Sequence, residues 1–287
     1  MRHVRTTRTV TAAAALLALL GGAAPAHAAT ATEPGDVSTT IVGGSDATKP
    51  YPGMASLQVR QADNTVNHAC GAVLVHPSYA VTAAHCVTRQ DLSVLDPGVL
   101  QLRIGSLDRT SGGTLATVTR VLPHADWDWF QGANGRIADI ALLRLARPVP
   151  RAPFLIFPAG ESGSVARLLG WGSVQPDASG PYPVRLQELD STMMPDSRCA
   201  AAGLSAGEIC VDSPGGTSGI CLADSGGPAL RQVVPGFWTV VGLTSRGAAT
   251  YCGENPIVFT SLHYYRPWIH RVIATGQVPP SAAQLAG

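Results

Sequence analysis

Ser225 sits in the run Cys221-Leu222-Ala223-Asp224-Ser225-Gly226-Gly227-Pro228, beside an acid and two glycines. A serine hydroxyl is a poor nucleophile at neutral pH and needs a base to take its proton. A histidine base in turn needs a carboxylate to fix its tautomer and stabilise the imidazolium. Both partners stand upstream: His85 in Thr82-Ala83-Ala84-His85-Cys86, and Asp139 at the head of Asp139-Ile140-Ala141-Leu142-Leu143. Brought together, the three can break an acyl bond through a covalent acyl-enzyme.

The elements that must position them read as strands. Short apolar runs broken by Gly, Pro, Asn and Asp recur at Ala72–Val75, Leu100–Ile104, Leu115–Val121, Ile140–Leu145, Val165–Leu169, Val240–Leu243 and Ile257–Phe259. That spacing predicts an all-β sandwich or barrel. One helix is expected near His263 to Ala274, and Val278-Pro279-Pro280 is expected to end the ordered chain. Upstream, Arg2, Arg5 and Arg8 precede an apolar stretch from Val10 to Leu20 and a small-residue site, Ala26-His27-Ala28. This pattern predicts a secretory signal peptide over residues 1–28, its apolar run too short to span a bilayer. Residues 29–40 are polar, lack periodicity and read as a propeptide.

Six cysteines in an exported chain favour disulfides, and arithmetic alone leaves 15 pairings. The spacing suggests no metal site. A net charge of +1 with no basic cluster argues against a nucleic-acid partner. The order of the three residues also excludes a serine elbow of the α/β-hydrolase kind, in which the serine comes before the acid and the histidine.

With the motifs in the order His, Asp, Ser, the chain resembles the trypsin/chymotrypsin-like serine proteases. Ile41-Val42-Gly43-Gly44 is similar to the family's mature N-terminus, Gly170-Trp171-Gly172 to its mid-chain marker, and Thr244-Ser245-Arg246-Gly247 to its substrate-binding strand. The resemblance covers Ile41 to about Ala274. It implies an all-β fold of two six-stranded antiparallel β-barrels, roughly Ile41–Arg151 and Ala152–Leu262, with a C-terminal helix. It divides the chain into a protease domain over 41–275 and a tail over 276–287. It implies the disulfides Cys70–Cys86, Cys199–Cys210 and Cys221–Cys252.

The resemblance also assigns roles. Ser225 becomes the nucleophile, His85 the general base and then acid, and Asp139 the orienting carboxylate. The N–H groups of Ala223 and Ser225 become the oxyanion hole. Asp224 would pair with the α-ammonium released by cleavage between Thr40 and Ile41. Thr40 is not basic, which argues against tryptic self-activation; another protease, or this enzyme's own non-tryptic activity, would make the cut. His68, His76, His124, His263 and His270 lie in no such motif and are expected at the surface.

Four departures from the family pattern bear on activity and specificity. Ala223 replaces the first glycine of Gly-Asp-Ser-Gly-Gly-Pro, which opens a second reading of the chain as a weakly active or inactive homologue that binds rather than cuts. Gly219 stands where trypsin-like members carry the Asp that selects Arg or Lys, with apolar Ile220 beside it. Gly247 leaves the pocket entrance open, and Ile257 either shortens the pocket or is ordinary core. The first option favours small or medium apolar substrate residues; in the second, a large aromatic residue fits. Arg246 stands where Trp is common, either facing solvent or meeting an acidic or polar substrate residue. The partners implied are a polypeptide substrate, the activating protease and a protein protease inhibitor. A secreted monomer without cofactor, metal or membrane attachment is expected.

Overall fold

The computed structural model describes residues 41–129, 137–281 and 284; the expected signal peptide and propeptide lie outside them. A two-residue strand, β1 (Ser45–Asp46), is followed by β2 (Met54–Arg60), β3 (Val66–His76), β4 (Tyr79–Thr82), β5 (Leu100–Ile104), β6 (Thr114–Pro123) and β7 (Ala141–Leu145). Strands β2 to β7 close an antiparallel barrel in the order β2-β3-β4-β7-β6-β5, with β5 returning to β2. In β5 burial alternates residue by residue, as a half-buried strand requires. Leu57, Leu74, Leu102 and Leu143 fill this barrel.

The second barrel takes β8 (Val165–Gly170), β9 (Gln187–Met194), β10 (Glu208–Val211), β11 (Pro228–Val234), β12 (Phe237–Arg246) and β13 (Ile257–Ser261). Its order is β9-β10-β13-β12-β11-β8, and β8 closes the ring on β9. The fold is therefore two six-stranded antiparallel barrels. The helix α1 (Leu262–Thr275) follows directly, capped by the Ser261 hydroxyl, which accepts from the Tyr264 N–H. Its buried Leu262, Tyr265, Trp268, Ile269 and Val272 form one apolar face. That face joins a cluster holding Met54, Trp171, Leu230 and Leu243, from both barrels.

Two boundaries differ from expectation. Ile41–Asp46 belongs to the second barrel: β1 pairs with β9, Val42 bridges to Gly219, and Ile41 is buried among Leu168, Val211 and Phe259. The expected loose tail is docked as far as Ser281. Val278 packs on the core, Ser281 is buried, and Arg120 Nη1 donates to the Gly276 carbonyl at 2.6 Å.

The barrels are joined where the chemistry-bearing residues lie. The Gly71 N–H of β3 donates to the Ser225 carbonyl at 2.8 Å. Thr260 of β13 donates to the Asp139 carbonyl at 2.9 Å. Leu186 and Arg109 donate backbone N–H bonds across the gap, to Leu107 and Val184 respectively. The Arg109 guanidinium also holds the Tyr182 and Pro183 carbonyls.

Candidate active site

His85 lies on a single 3₁₀ turn, Ala84–Cys86, immediately after β4, and the Cys70–Cys86 disulfide ties that turn to β3. Asp139 lies two residues before β7. Its carboxylate is 2% exposed and meets three groups that fix it. Oδ2 pairs with His85 Nδ1 at 2.8 Å and accepts from Ser245 Oγ at 2.6 Å, while Oδ1 accepts the His85 backbone N–H at 3.0 Å. Burial by itself would raise the Asp139 pKa, but the His85 charge and these hydrogen bonds outweigh it and hold the carboxyl below its usual range. Burial would lower the His85 pKa; the Asp139 charge and hydrogen bond overcome this and raise it. The ring is therefore oriented with Nδ1 toward the carboxylate, leaving Nε2 for a proton that arrives from elsewhere. Trp129 lies beside it, with ring centroids 6.0 Å apart.

Ser225 lies on the loop before β11, partly exposed, and lines a cavity of about 220 Å³. Ile220, Ser245, Arg246, Gly247 and Ile257 line the same cavity, as do Leu222 and residues 249–253. Ser245 thus joins the cavity to the His85–Asp139 pair. Gly219 is not among the lining residues; it is bound to Val42 by the bridge described above. A Cβ on Gly247 would meet Ile257 Cδ1 at 2.7 Å, so the isoleucine side chain crosses toward the opposite wall. Ile257 is therefore a pocket residue.

Arg246 differs from both expectations. Its Nη1 and Nη2 fork onto Glu208, and Nε and Nη2 donate to the Ala202 and Gly203 carbonyls. The Glu208 side chain is 1% exposed, so this pair pins β12 to β10 and the preceding 3₁₀ turns, Asp196–Ala202. The guanidinium borders the cavity with its charge already matched.

The loop around the serine holds two further groups. Cys221–Asp224 forms a β-turn, closed by the Asp224 N–H on the Cys221 carbonyl, with Ala223 at φ +72°. That is a type II turn position suited to glycine, and an alanine there costs roughly 1–2 kcal/mol. Asp224 is fully buried, and its carboxylate accepts the Gly172 N–H at 2.7 Å and the Cys221 N–H at 3.0 Å. A Cβ on Gly170 or Gly172 would collide with that carboxylate, which accounts for both glycines of the Gly-Trp-Gly marker. Among the described residues no cationic side chain pairs with Asp224, and burial pushes its pKa up to about 7.

His68 is not a surface residue. It is 5% exposed, with Nδ1 2.8 Å from Ser56 Oγ and Nε2 3.1 Å from the Ala223 carbonyl, and the Trp171 and Tyr182 rings meet its edges. No motif marks it, because the Ala223 carbonyl that it meets lies 155 positions away. The role of Ser245 toward Asp139 was hidden for the same reason. His263 and His270 are exposed as expected, while His76 and His124 are half-buried. The disulfides are the three that the resemblance implied, and the third ties the serine loop to the cavity wall at Cys252.

Comparison with known proteins agrees with this geometry. The chain is similar to mouse (Mus musculus) tryptase, 31% identical over 253 residues that cover 81% of this chain and 88% of that protein. It is similar to rat (Rattus norvegicus) chymotrypsin-C, 29% identical over 255 residues that cover 84% and 91%. The sequence profile of the Trypsin family matches residues 41–269, a stretch that contains both barrels and most of α1. A buried carboxylate that orients a histidine, a serine on a tight turn and a profile match over most of the chain agree, and the protein belongs to the trypsin family of serine proteases.

Proposed function

We propose that this chain is an exported serine endopeptidase that loses residues 1–28 as a signal peptide and 29–40 as a propeptide. Its protease domain is 41–275, followed by the tail 276–287. Ser225 Oγ attacks the substrate carbonyl carbon while His85 Nε2 takes its proton, and the oxyanion that forms is held by the N–H groups of Ala223 and Ser225. His85 then returns the proton to the leaving amine as the peptide C–N bond breaks, leaving an acyl-enzyme. Water repeats the sequence and releases the acid.

The observation that carries this reading is the buried Asp139 carboxylate. It is bonded at once to His85 and to Ser245, and Ser245 lines the cavity that Ser225 also lines. Activation by cleavage between Thr40 and Ile41 is supported by the burial of Ile41 and by an Asp224 carboxylate that lacks a cationic side-chain partner among the described residues. A new ammonium at Ile41 would supply that partner. A cavity crossed by Ile257 favours Ala, Val or Leu before the scissile bond. The partners are a polypeptide substrate, a separate activating protease and a protein inhibitor.

The second reading, a homologue that binds substrate without cutting it, is favoured by one observation, the left-handed Ala223. A serine-reactive phosphonate separates the two. Stoichiometric labelling of Ser225 in the processed chain is expected of the enzyme, and absence of labelling would overturn it.

A further inference from the structure

The turn that carries Ala223 is held from outside at both of its flanking carbonyls. Behind the turn, the Ser173 N–H donates to the Leu222 carbonyl at 2.8 Å, and His68 Nε2 lies 3.1 Å from the Ala223 carbonyl. Because peptide bonds here are trans, a Leu222 carbonyl aimed at Ser173 sends the Ala223 N–H the opposite way. The second contact fixes the peptide plane on the other side of the Ala223 Cα. With both planes held, φ at Ala223 is held as well. The alternative, a type I turn, suits alanine better and turns that N–H around.

The His68 network has one consistent proton arrangement. A carbonyl oxygen only accepts, so Nε2 carries the proton, and the neutral ring leaves Nδ1 as acceptor for the Ser56 hydroxyl. Gln58 Nε2 donates onward to Ser56 Oγ at 3.3 Å and to the Arg109 carbonyl at 2.5 Å. Burial keeps the ring neutral, pulling its pKa down to about 4. The arrangement therefore offers one steady donor to Ala223.

We propose that His68, together with the Ser173 backbone N–H, is a positioning residue that keeps the Ala223 N–H turned toward the reacting carbonyl in spite of the alanine side chain. This rests on the reading of Ala223 as an oxyanion donor. It adds that the chain carries Ala223 without losing activity because two outside donors hold the turn. It follows that His68 matters more in this chain than it would with glycine at that position.

The test is a double-substitution comparison on the processed protein, with a peptide substrate and with phosphonate labelling of Ser225. His68→Phe is expected to lower kcat on the order of tenfold, with KM changed less than about twofold, since the hole acts on the transition state. In the Ala223→Gly background the same substitution is expected to cost under about threefold, and His68→Gln, which keeps an N–H donor, is expected to recover most of the loss. Equal losses in both backgrounds, a loss confined to KM, or an unchanged kcat would overturn the proposal. If His68→Phe does not fold, Ser56→Ala, which strips the partner from Nδ1, carries the same comparison with the same criteria. Failure of the unsubstituted chain to label at Ser225 would overturn the protease reading and this proposal together. Labelling with equal His68→Phe losses overturns this proposal alone.

Discussion

Ile257 Cδ1 lies 2.7 Å from the place a Cβ on Gly247 would occupy, so one wall of the pocket reaches nearly to the other. Depth is the property this contact controls. In a panel of peptides with Ala, Val, Leu, Phe or Arg before the scissile bond, the small and medium aliphatics are expected to give the highest kcat/KM. Ile257→Ala is expected to raise kcat/KM for Phe roughly tenfold or more, within the range that a change of a few methylenes in a pocket produces. Arg as the best substrate in the unsubstituted chain would refute the pocket reading.

The His85–Asp139 pair sets the pH profile. A base must be neutral to act, and the His85 pKa is raised by Asp139, so kcat/KM is expected to climb with pH through a midpoint above about 6.5. For folding, the sign follows from the same shift: the stability contributed by charged His85 is fully present below its unfolded pKa and lost as pH rises through the folded one. Asp139→Asn is expected to lower kcat on the order of 10⁴-fold and to move the midpoint down. A pH–rate profile of both proteins checks this; an unmoved midpoint counts against Asp139 as its cause.

Asp224 gives the uncleaved chain a different pH signature from the cleaved one. Its folded pKa is raised to about 7, so the stability from its protonated form is complete below about 3.9 and lost as pH rises through 7. Thermal unfolding of the uncleaved chain should therefore show a falling Tm between these pH values. On the proposed activation, cleavage before Ile41 would supply an ammonium partner that lowers the carboxyl pKa, and that fall is expected to vanish. Identical pH–Tm curves before and after cleavage would sink the activation reading. An extra residue in front of Ile41 is expected to leave a folded chain with almost no activity.

Arg246 and Glu208 form a matched pair, and the consequence is structural. Arg246→Ala is expected to destabilise the fold by roughly 3 kcal/mol, because it strands a carboxylate that is 1% exposed. In the unsubstituted chain, an acidic residue near the scissile bond is expected to bring no gain in kcat/KM. A denaturant titration and a charged-peptide pair measure the two halves, and a marked gain with the acidic peptide would show that the fork opens.

Seven of the twelve barrel strands were legible because they carry apolar runs, which fall within strands or, at Ile140, beside one, while β2, β4, β9, β10 and β11 were not anticipated. Strand β9 escaped because Gln187, Glu188 and Ser191 are polar yet buried. Each is bonded to a partner outside the strand: Gln187 Nε2 to Asp46, Glu188 to the Tyr51 hydroxyl and Ser191 to the Asp212 carbonyl. The three residues of the His-Asp-Ser motif were legible through local sequence. What holds them was not. Ser245 finds Asp139 across 106 positions and His68 finds Ala223 across 155, and no local pattern encodes such a contact. Left-handed Ala138, just before Asp139, is a further non-glycine at positive φ beside the site, and strain of that kind is invisible in composition.

The pairing of β1 with β9, and of Val42 with Gly219, bears on the order of assembly during synthesis. The residues of the Ile41–Asp46 segment find their partners only after about 140 to 177 more positions have been made. The first barrel takes its six strands from Met54–Leu145 and has all its own pairings available much earlier. On the ribosome, then, one barrel can close while the segment ahead of it still waits. The segment that begins at Ile41 joins the fold among the last elements rather than the first. Its docking is thereby separated in time from the first barrel's closure.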